Sequence, residues 1–198
     1  AGLTSIIQQG KIGNAAVGSG EWLIIEADES DGSVVQYEPE IGLLLNIDKD
    51  HQEIDELIDL FTIFKNNTNS LFIVNPSNTV ATTLSADVKF DFGFENNNAF
   101  FNATEFQQEG FHLSFKVQNQ DFKMNAIGQH SVENATAAIA VANQIGVDLK
   151  ICAESLASYE GIYRRHQILG QKNGVWVIDD YAHNPAKCAA SIKACQPI

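Results

Sequence analysis

The 198-residue chain is short of positive charge: 12 Lys and Arg stand against 25 Asp and Glu, a formal net charge of −13. That argues against a nucleic-acid backbone or an anionic membrane surface as main partner, while leaving room for a polyanion held through a metal ion. No apolar run approaches the roughly 20 residues of a spanning helix, so no membrane insertion is expected. The start, Ala1-Gly2-Leu3-Thr4, has neither a basic n-region nor an apolar h-region, so no signal peptide is read there. It also lacks an initiator Met, and the expectation is a piece of something longer. The three cysteines, Cys152, Cys188 and Cys195, are odd in number, widely spaced and without a C-x-x-C. They argue against a disulfide framework or zinc site, and for idle thiols in a reducing cytoplasm. Absent too are G-x-S-x-G, H-E-x-x-H and the phosphate loop G-x-x-x-x-G-K-S/T; Gly10-Lys11-Ile12 comes nearest to the last and lacks the hydroxyl residue.

What is present suffices for a core: 44% hydrophobic residues, with 12 Phe. Trp22-Leu23-Ile24-Ile25, Ile41-Gly42-Leu43-Leu44-Leu45 and Leu71-Phe72-Ile73-Val74 are continuous apolar runs, the pattern of strands buried on both faces of a parallel sheet. Between the last two, Ile54, Leu57, Ile58, Phe61 and Phe64 recur at helical spacing, giving a strand–helix–strand crossover. From Val88 to Ile127 apolar and polar residues alternate around Phe90, Phe92, Phe94, Phe111, Leu113, Phe115, Val117, Phe122 and Met124, which predicts a small antiparallel meander. Asn134 to Ile145 reads as an Ala-rich helix capped by Ser131 and closed by Gly146, and Lys150 to Tyr159 as a second helix. Strands resume at Ile168-Leu169 and Val175 to Ile178, and a last helix runs from Ala186 to Cys195. The fold class expected is α/β: a mostly parallel sheet and the meander over 1–161, a domain boundary near Gly161-Ile162, then the start of a new α/β unit over 162–198.

Charge is concentrated. Residues 21–60 hold 13 carboxylates against Lys49 alone, so that segment is −12 and the rest of the chain −1. Glu26-Ala27-Asp28-Glu29-Ser30-Asp31-Gly32 follows an apolar run directly, where open α/β sheets place ligands, and dense carboxylates favour a hard cation such as Mg²⁺. A calcium loop with Gly32 at its sixth position would begin at Ala27, which has no ligand oxygen. Asn46 to His51 ends the next buried run, so Glu26 and His51 could share one cation, with Asp48 or Asp50 orienting the imidazole; solvated loops with helix caps explain the same residues. Gly128 to Asn134 opens a helix whose N–H groups, imidazole and amide could hold a base edge or an anion, or could merely cap it. Arg164-Arg165-His166 suits phosphate through the planar guanidinium fork, or could pair with surface acids. Asp179-Asp180-Tyr181-Ala182-His183-Asn184-Pro185 sets two acids, a phenol and an imidazole after a buried strand, and there residue types favour chemistry over packing.

Taken in order, these segments resemble the Mur ligase family, ATP-dependent amide-forming ligases of peptidoglycan assembly, and among them the alanine-adding type. Gly18 to Asp31 is the most specific stretch. Asn46 to His51, Gly128 to Ala138, Gly161 to His166 and Asp179 to Pro185 resemble further family blocks. The resemblance implies a partial P-loop-type central ATPase domain, beginning after its phosphate loop, over 1–161 and the start of a Rossmann-like C-terminal domain over 162–198, with Glu26 and His51 on Mg²⁺, and His130 and Asn134 on adenine. Arg165 would reach the phosphates, Asp180 would serve the ATP site, and Tyr181 and His183 would face the amino acid, Arg165 and His183 being the catalytic pair. ATP, Mg²⁺, UDP-N-acetylmuramate and L-alanine are the implied cofactors and substrates, with a cytoplasmic setting and no nucleic acid. The fragment would be inactive alone. Departures are Ser131 for the usual Asn, His166 for the usual Phe, a shorter stretch after His51, and no counterpart of a carbamylated lysine beyond Lys65. They leave open a murein tripeptide recycling ligase or another Mur-type ligase, and, outside the family, a non-catalytic acidic metal- or nucleotide-binding module.

Overall fold

In a computed structural model, the structure describes residues 15–49, 52–96, 98–183, 185–196 and 198. Strand β1 (Ile41–Leu44) and strand β2 (Leu71–Val74) pair in parallel, joined by helix α1 (Ile54–Asn66). Strands β3 (Phe92–Phe94), β4 (Phe101–Glu109), β5 (His112–Val117) and β6 (Gln120–Asn125) form a second sheet in that order. Helix α2 (Gln129–Gln144) and helix α3 (Leu149–Ala157) cover it, α2 over β3 and β4 and α3 over β6. Strands β7 (Gln167–Lys172) and β8 (Val175–Asp179) make a hairpin that leads into helix α4 (Pro185–Cys195).

The continuous apolarity of β2 has the expected reason. Phe72 and Val74 enter one core with Leu57, Phe61 and Phe64 of α1, while Ile73 enters another with the second sheet and α2. A strand side chain alternates faces, so a strand wedged between two layers must be apolar at every position. The second core is aromatic: Phe115 and Phe122 lie opposite each other in the β5–β6 register and stack at 5.4 Å. Val132, Ala135, Ile139 and Ala140 form the buried stripe of α2 above it.

Three expectations need correction. Trp22 to Ile25 joins no strand ladder, and Leu23 and Ile24 are more than four-fifths exposed; a buried apolar run needs a pairing neighbour to become a strand. The meander is antiparallel only from β4 to β6, because β3 pairs in parallel with β4. Helix α2 starts at Gln129, since the Ser131 hydroxyl donates back to Ile127 O instead of capping a later start. Among the described residues the longest strand is Phe101–Glu109, which alternation alone does not single out.

Candidate functional site

The chemistry-bearing side chains gather where α2 begins. Gly128 holds φ +80°, and a Cβ there would come within 2.6 Å of the Ala194 Cβ and 2.7 Å of the His130 ring. Only glycine lets α4 come this close to the start of α2. Gln108 on β4 fastens the contact from the side: its amide N–H donates to Ala194 O (3.1 Å), and its Oε1 accepts from the Gly128 N–H (2.9 Å).

His130 then meets His166, ring centroids 5.0 Å apart. The His166 Nε2 lies 2.9 Å from Ser191 Oγ on α4, and its backbone N–H donates to Asp180 Oδ1 at 3.2 Å. Burial lowers the pKa of His130, helped by the neighbouring His166 and opposed by Asp180. Burial lowers His166 as well, against the pull of Asp180. Burial alone would push Asp180 up, but the His166 N–H, the His166 charge and the Ser191 hydroxyl together hold it below the ordinary carboxylate value. This cluster is therefore an ionised carboxylate beside two neutral imidazoles at neutral pH.

The two arginines divide their roles. Arg164 Nε donates to Asp179 Oδ2 at 3.2 Å, and its backbone N–H donates to Gln167 Oε1 at 3.2 Å. Arg165 makes no ion pair among the described residues and rests its guanidinium 5.8 Å from the Tyr181 ring centre, exposed. An arginine held by an aromatic face but unpaired is free to grip an anion with both N–H edges. His183 donates from Nδ1 to Tyr181 O at 3.0 Å, which leaves Nε2 as the basic nitrogen of an exposed ring. Its ring also meets Tyr181 edge-on at 5.4 Å. Asn134 is exposed one helical turn after His130, on the same face of α2. The structure thus brings His130 and Asp180 together around His166, and Arg165 and His183 together around Tyr181, with Asn134 one turn along α2 from His130.

Of the proposed metal pair, Glu26 alone lies among the described residues. Glu26 is exposed, and among the described residues it makes no hydrogen bond or ion pair. His51 and Asp50 lie outside the described residues. The loop beside Glu26 is nevertheless bound to the start of α1, because Gln52 Nε2 donates to Glu29 O at 3.2 Å. Asp28 and Asp31 turn inward on Ser30 and Ser33, each accepting a backbone N–H at 2.8 Å, so they shape the loop. Among the described residues no three His, Cys, Asp or Glu side chains form a cluster able to hold a metal ion. An oxygen donor of the right hardness for Mg²⁺ is present at Glu26, and a full ligand set is not in view. Ser191 and Gln108 belong to the junction but carried no sequence signal, since a serine and a glutamine at partly exposed positions look like any surface residue.

Comparison with known proteins places the chain. The sequence model of the Mur ligase middle domain matches residues 6–142. A UDP-N-acetylmuramate--L-alanine ligase of Synechocystis sp. is 32% identical over 194 residues, covering 93% of this chain and 38% of that protein. One from Lawsonia intracellularis is 35% identical over 200 residues, covering 93% and 44%. The crystal structure of the UDP-N-acetylmuramate-alanine ligase of Thermotoga maritima superposes with a TM-score of 0.74 at 24% identity, covering 86% of this chain and 41% of that one, a likeness of fold. The chain spans about two fifths of the length of the curated relatives it matches.

Proposed function

Starting from a chain that belongs to the Mur ligase family, we propose that it is the part of an ATP-dependent ligase that joins L-alanine to the muramoyl carboxylate of UDP-N-acetylmuramate. We place the central domain at 1–161 and the start of the C-terminal domain at 162–198. The observation that carries the reading is the junction, where residues from α2 and from the 164–183 segment meet around one ionised acid, Asp180.

The reaction runs in two steps. A carboxylate oxygen of the muramoyl group attacks the γ-phosphorus of ATP, and the bond to the β-phosphate oxygen breaks, giving an acyl phosphate and ADP. The amino nitrogen of L-alanine then attacks the acyl carbon, phosphate leaves, and the amine proton must be removed. Arg165 neutralises charge on the transferring group. His183, basic at Nε2, is placed to take the amine proton, with Tyr181 beside it against the amino acid. His130 and Asn134, on one face of α2, suit the edge of the adenine, and Asp180 fixes the register of the phosphate-side loop. Glu26 and His51 would hold Mg²⁺, which when bound screens the phosphate charges. A reaction fed by ATP and a nucleotide-linked sugar belongs in the cytoplasm.

The test is ADP and phosphate release by an intact enzyme carrying this chain behind a phosphate loop. Release that needs both UDP-N-acetylmuramate and L-alanine supports the reading. Release with a murein tripeptide in place of L-alanine would give the recycling activity instead, which the exchange of Phe for His166 leaves open. No release at all would leave the non-catalytic module. In the same enzyme Glu26→Ala and His51→Ala should each cut turnover at least tenfold with the fold intact by circular dichroism; wild-type turnover in both removes the metal assignment. The 198-residue chain alone should show no micromolar Mg·ATP binding by calorimetry, because the backbone cradle and lysine of a phosphate loop are missing from its sequence.

A further inference from the structure

The segment from Ile162 to the end of α4, the arm, is knitted within itself. The Tyr181 N–H donates to Arg164 O at 3.0 Å, and His166 Nε2 lies 2.9 Å from Ser191 Oγ. The arm shares no core with the body: among the described residues, neither hydrophobic cluster reaches beyond Tyr159. Val175, Val177 and Ile192 of the arm are more than half exposed. Apolar burial therefore does little to fix where the arm lies, and specific contacts decide it. The chain enters the arm through Gly161 at φ +84°, with nothing within 4 Å of a Cβ there, so the entry point adds no packing either.

The tip of the β4–β5 hairpin supplies such contacts. Gly110, at φ +57°, and Phe111 make its turn. Gln108 is braced against that turn, because its Nε2 donates to Gly110 O at 3.1 Å. The brace fixes the amide plane. The second N–H of Nε2 then reaches Ala194 O on α4 at 3.1 Å, and Oε1 receives the Gly128 N–H at 2.9 Å. Phe111 meets Trp176 of β8 edge-on, ring centroids 4.8 Å apart at 75°. One hold falls on α4 and the other on β8, so together they set the orientation of the arm as well as its place. We propose that this tip is the dock for the arm, and that Gln108 is a positioning residue: it holds α4 on the start of α2, so that His166 faces His130 and brings Asp180 with it. The dock stands on geometry alone. Its bearing on turnover rests on the reading that His130 and Asp180 serve one nucleotide.

Trp176 is also the reporter, since the chain's other tryptophan is Trp22. In the 198-residue chain with Trp22→Phe, Trp176 emission followed against urea measures the docked-to-free ratio of the arm, with no nucleotide present. Far-UV circular dichroism on the same samples follows chiefly α1 to α3, the helices of the body. At pH 7.5, Gln108→Met, which keeps the length of the side chain and loses both of its hydrogen-bonding ends, should lower the ratio roughly fivefold, the net worth of one hydrogen bond to the arm. Phe111→Leu should lower it by a similar factor, and the two losses should multiply in the double variant. In each variant the far-UV transition should move less than the Trp176 transition, whereas a merely structural role in the hairpin would move both together. A Trp176 transition equal to wild type in either variant, or one that shifts only in step with the far-UV transition, would overturn the proposal. If Gln108→Met does not fold, Phe111→Leu at the turn carries the same comparison. Because the measurement uses no ATP, the dock and the nucleotide reading can fail separately: an intact enzyme whose Asp180→Ala variant keeps wild-type KM for ATP would remove the second and leave the first.

Discussion

Single residues set the stability of the chain at a few buried polar points. Asp91 is fully buried, accepts the Val74 N–H at 2.9 Å and the Ser85 hydroxyl at 2.5 Å, and its burial raises its pKa against those two bonds. Asp91→Ala should cost about 2 kcal/mol or more in urea unfolding, since both donors are left without a partner. Because its folded pKa is raised, the stability linked to Asp91 is full below about pH 3.8 and declines as pH rises through the folded value. His130 and His166 act with the opposite sign. Their folded pKa values lie below 6.5, so the unfolded chain takes up protons first and their contribution, full above pH 6.5, is lost as pH falls through the folded values. Melting temperature should therefore drop between pH 6.5 and 5.5 in wild type, and drop less in a His130→Phe, His166→Phe double variant; equal drops in scanning fluorimetry would show the pair does not carry the effect.

Among the elements, two glycines separate strain from crowding. Asn173 and Gly174 both have positive φ (+52° and +79°) in a two-residue turn between β7 and β8, the twist a hairpin needs. Nothing lies within 4 Å of a Cβ at Gly174, so Gly174→Ala should cost only about 1 kcal/mol, from backbone strain. Gly128→Ala adds the collision with Ala194 and should cost about 3 kcal/mol and detach α4. Comparing the two variants by urea unfolding checks the ranking, and equal losses would show that α4 adjusts. Helix α1 was legible because Ile54, Leu57, Ile58, Phe61 and Phe64 repeat at its period, and the structure adds a Glu53–Glu56 capping box at its start. Strand β4 was not, because Glu105 at φ +53° forms a bulge that breaks the alternation after Ala103. The blocks around Arg165 and Asp179–His183 stood out in the sequence by residue type, and the structure sets Arg165 against Tyr181 and Asp180 beside His166. That His130 would face His166 was not legible, because a contact spanning 36 positions leaves no local pattern.

For the molecule as a whole, apolar surface and charge oppose each other. Leu23, Ile24, Leu169, Val175, Val177 and Ile192 are each more than half exposed, a quantity of bare hydrocarbon that favours association. The net charge of −13 keeps copies apart at low salt. Raising salt from 20 mM to 500 mM at neutral pH should therefore raise the apparent mass in light scattering, and an unchanged mass would mean that the exposed residues do not meet. No helix among the described residues is long and apolar enough to cross a membrane.

Gln108 shows how narrowly one side chain can join two bodies. Its ends are not interchangeable, since one gives a proton to α4 and the other takes one from the opening of α2. An isosteric glutamate would still receive the Gly128 N–H, yet would turn a second oxygen on Ala194 O and drive the two apart. A change of one atom, with shape preserved, would thus unfasten the tail from the body while leaving each intact, making this amide an adaptor with polarity.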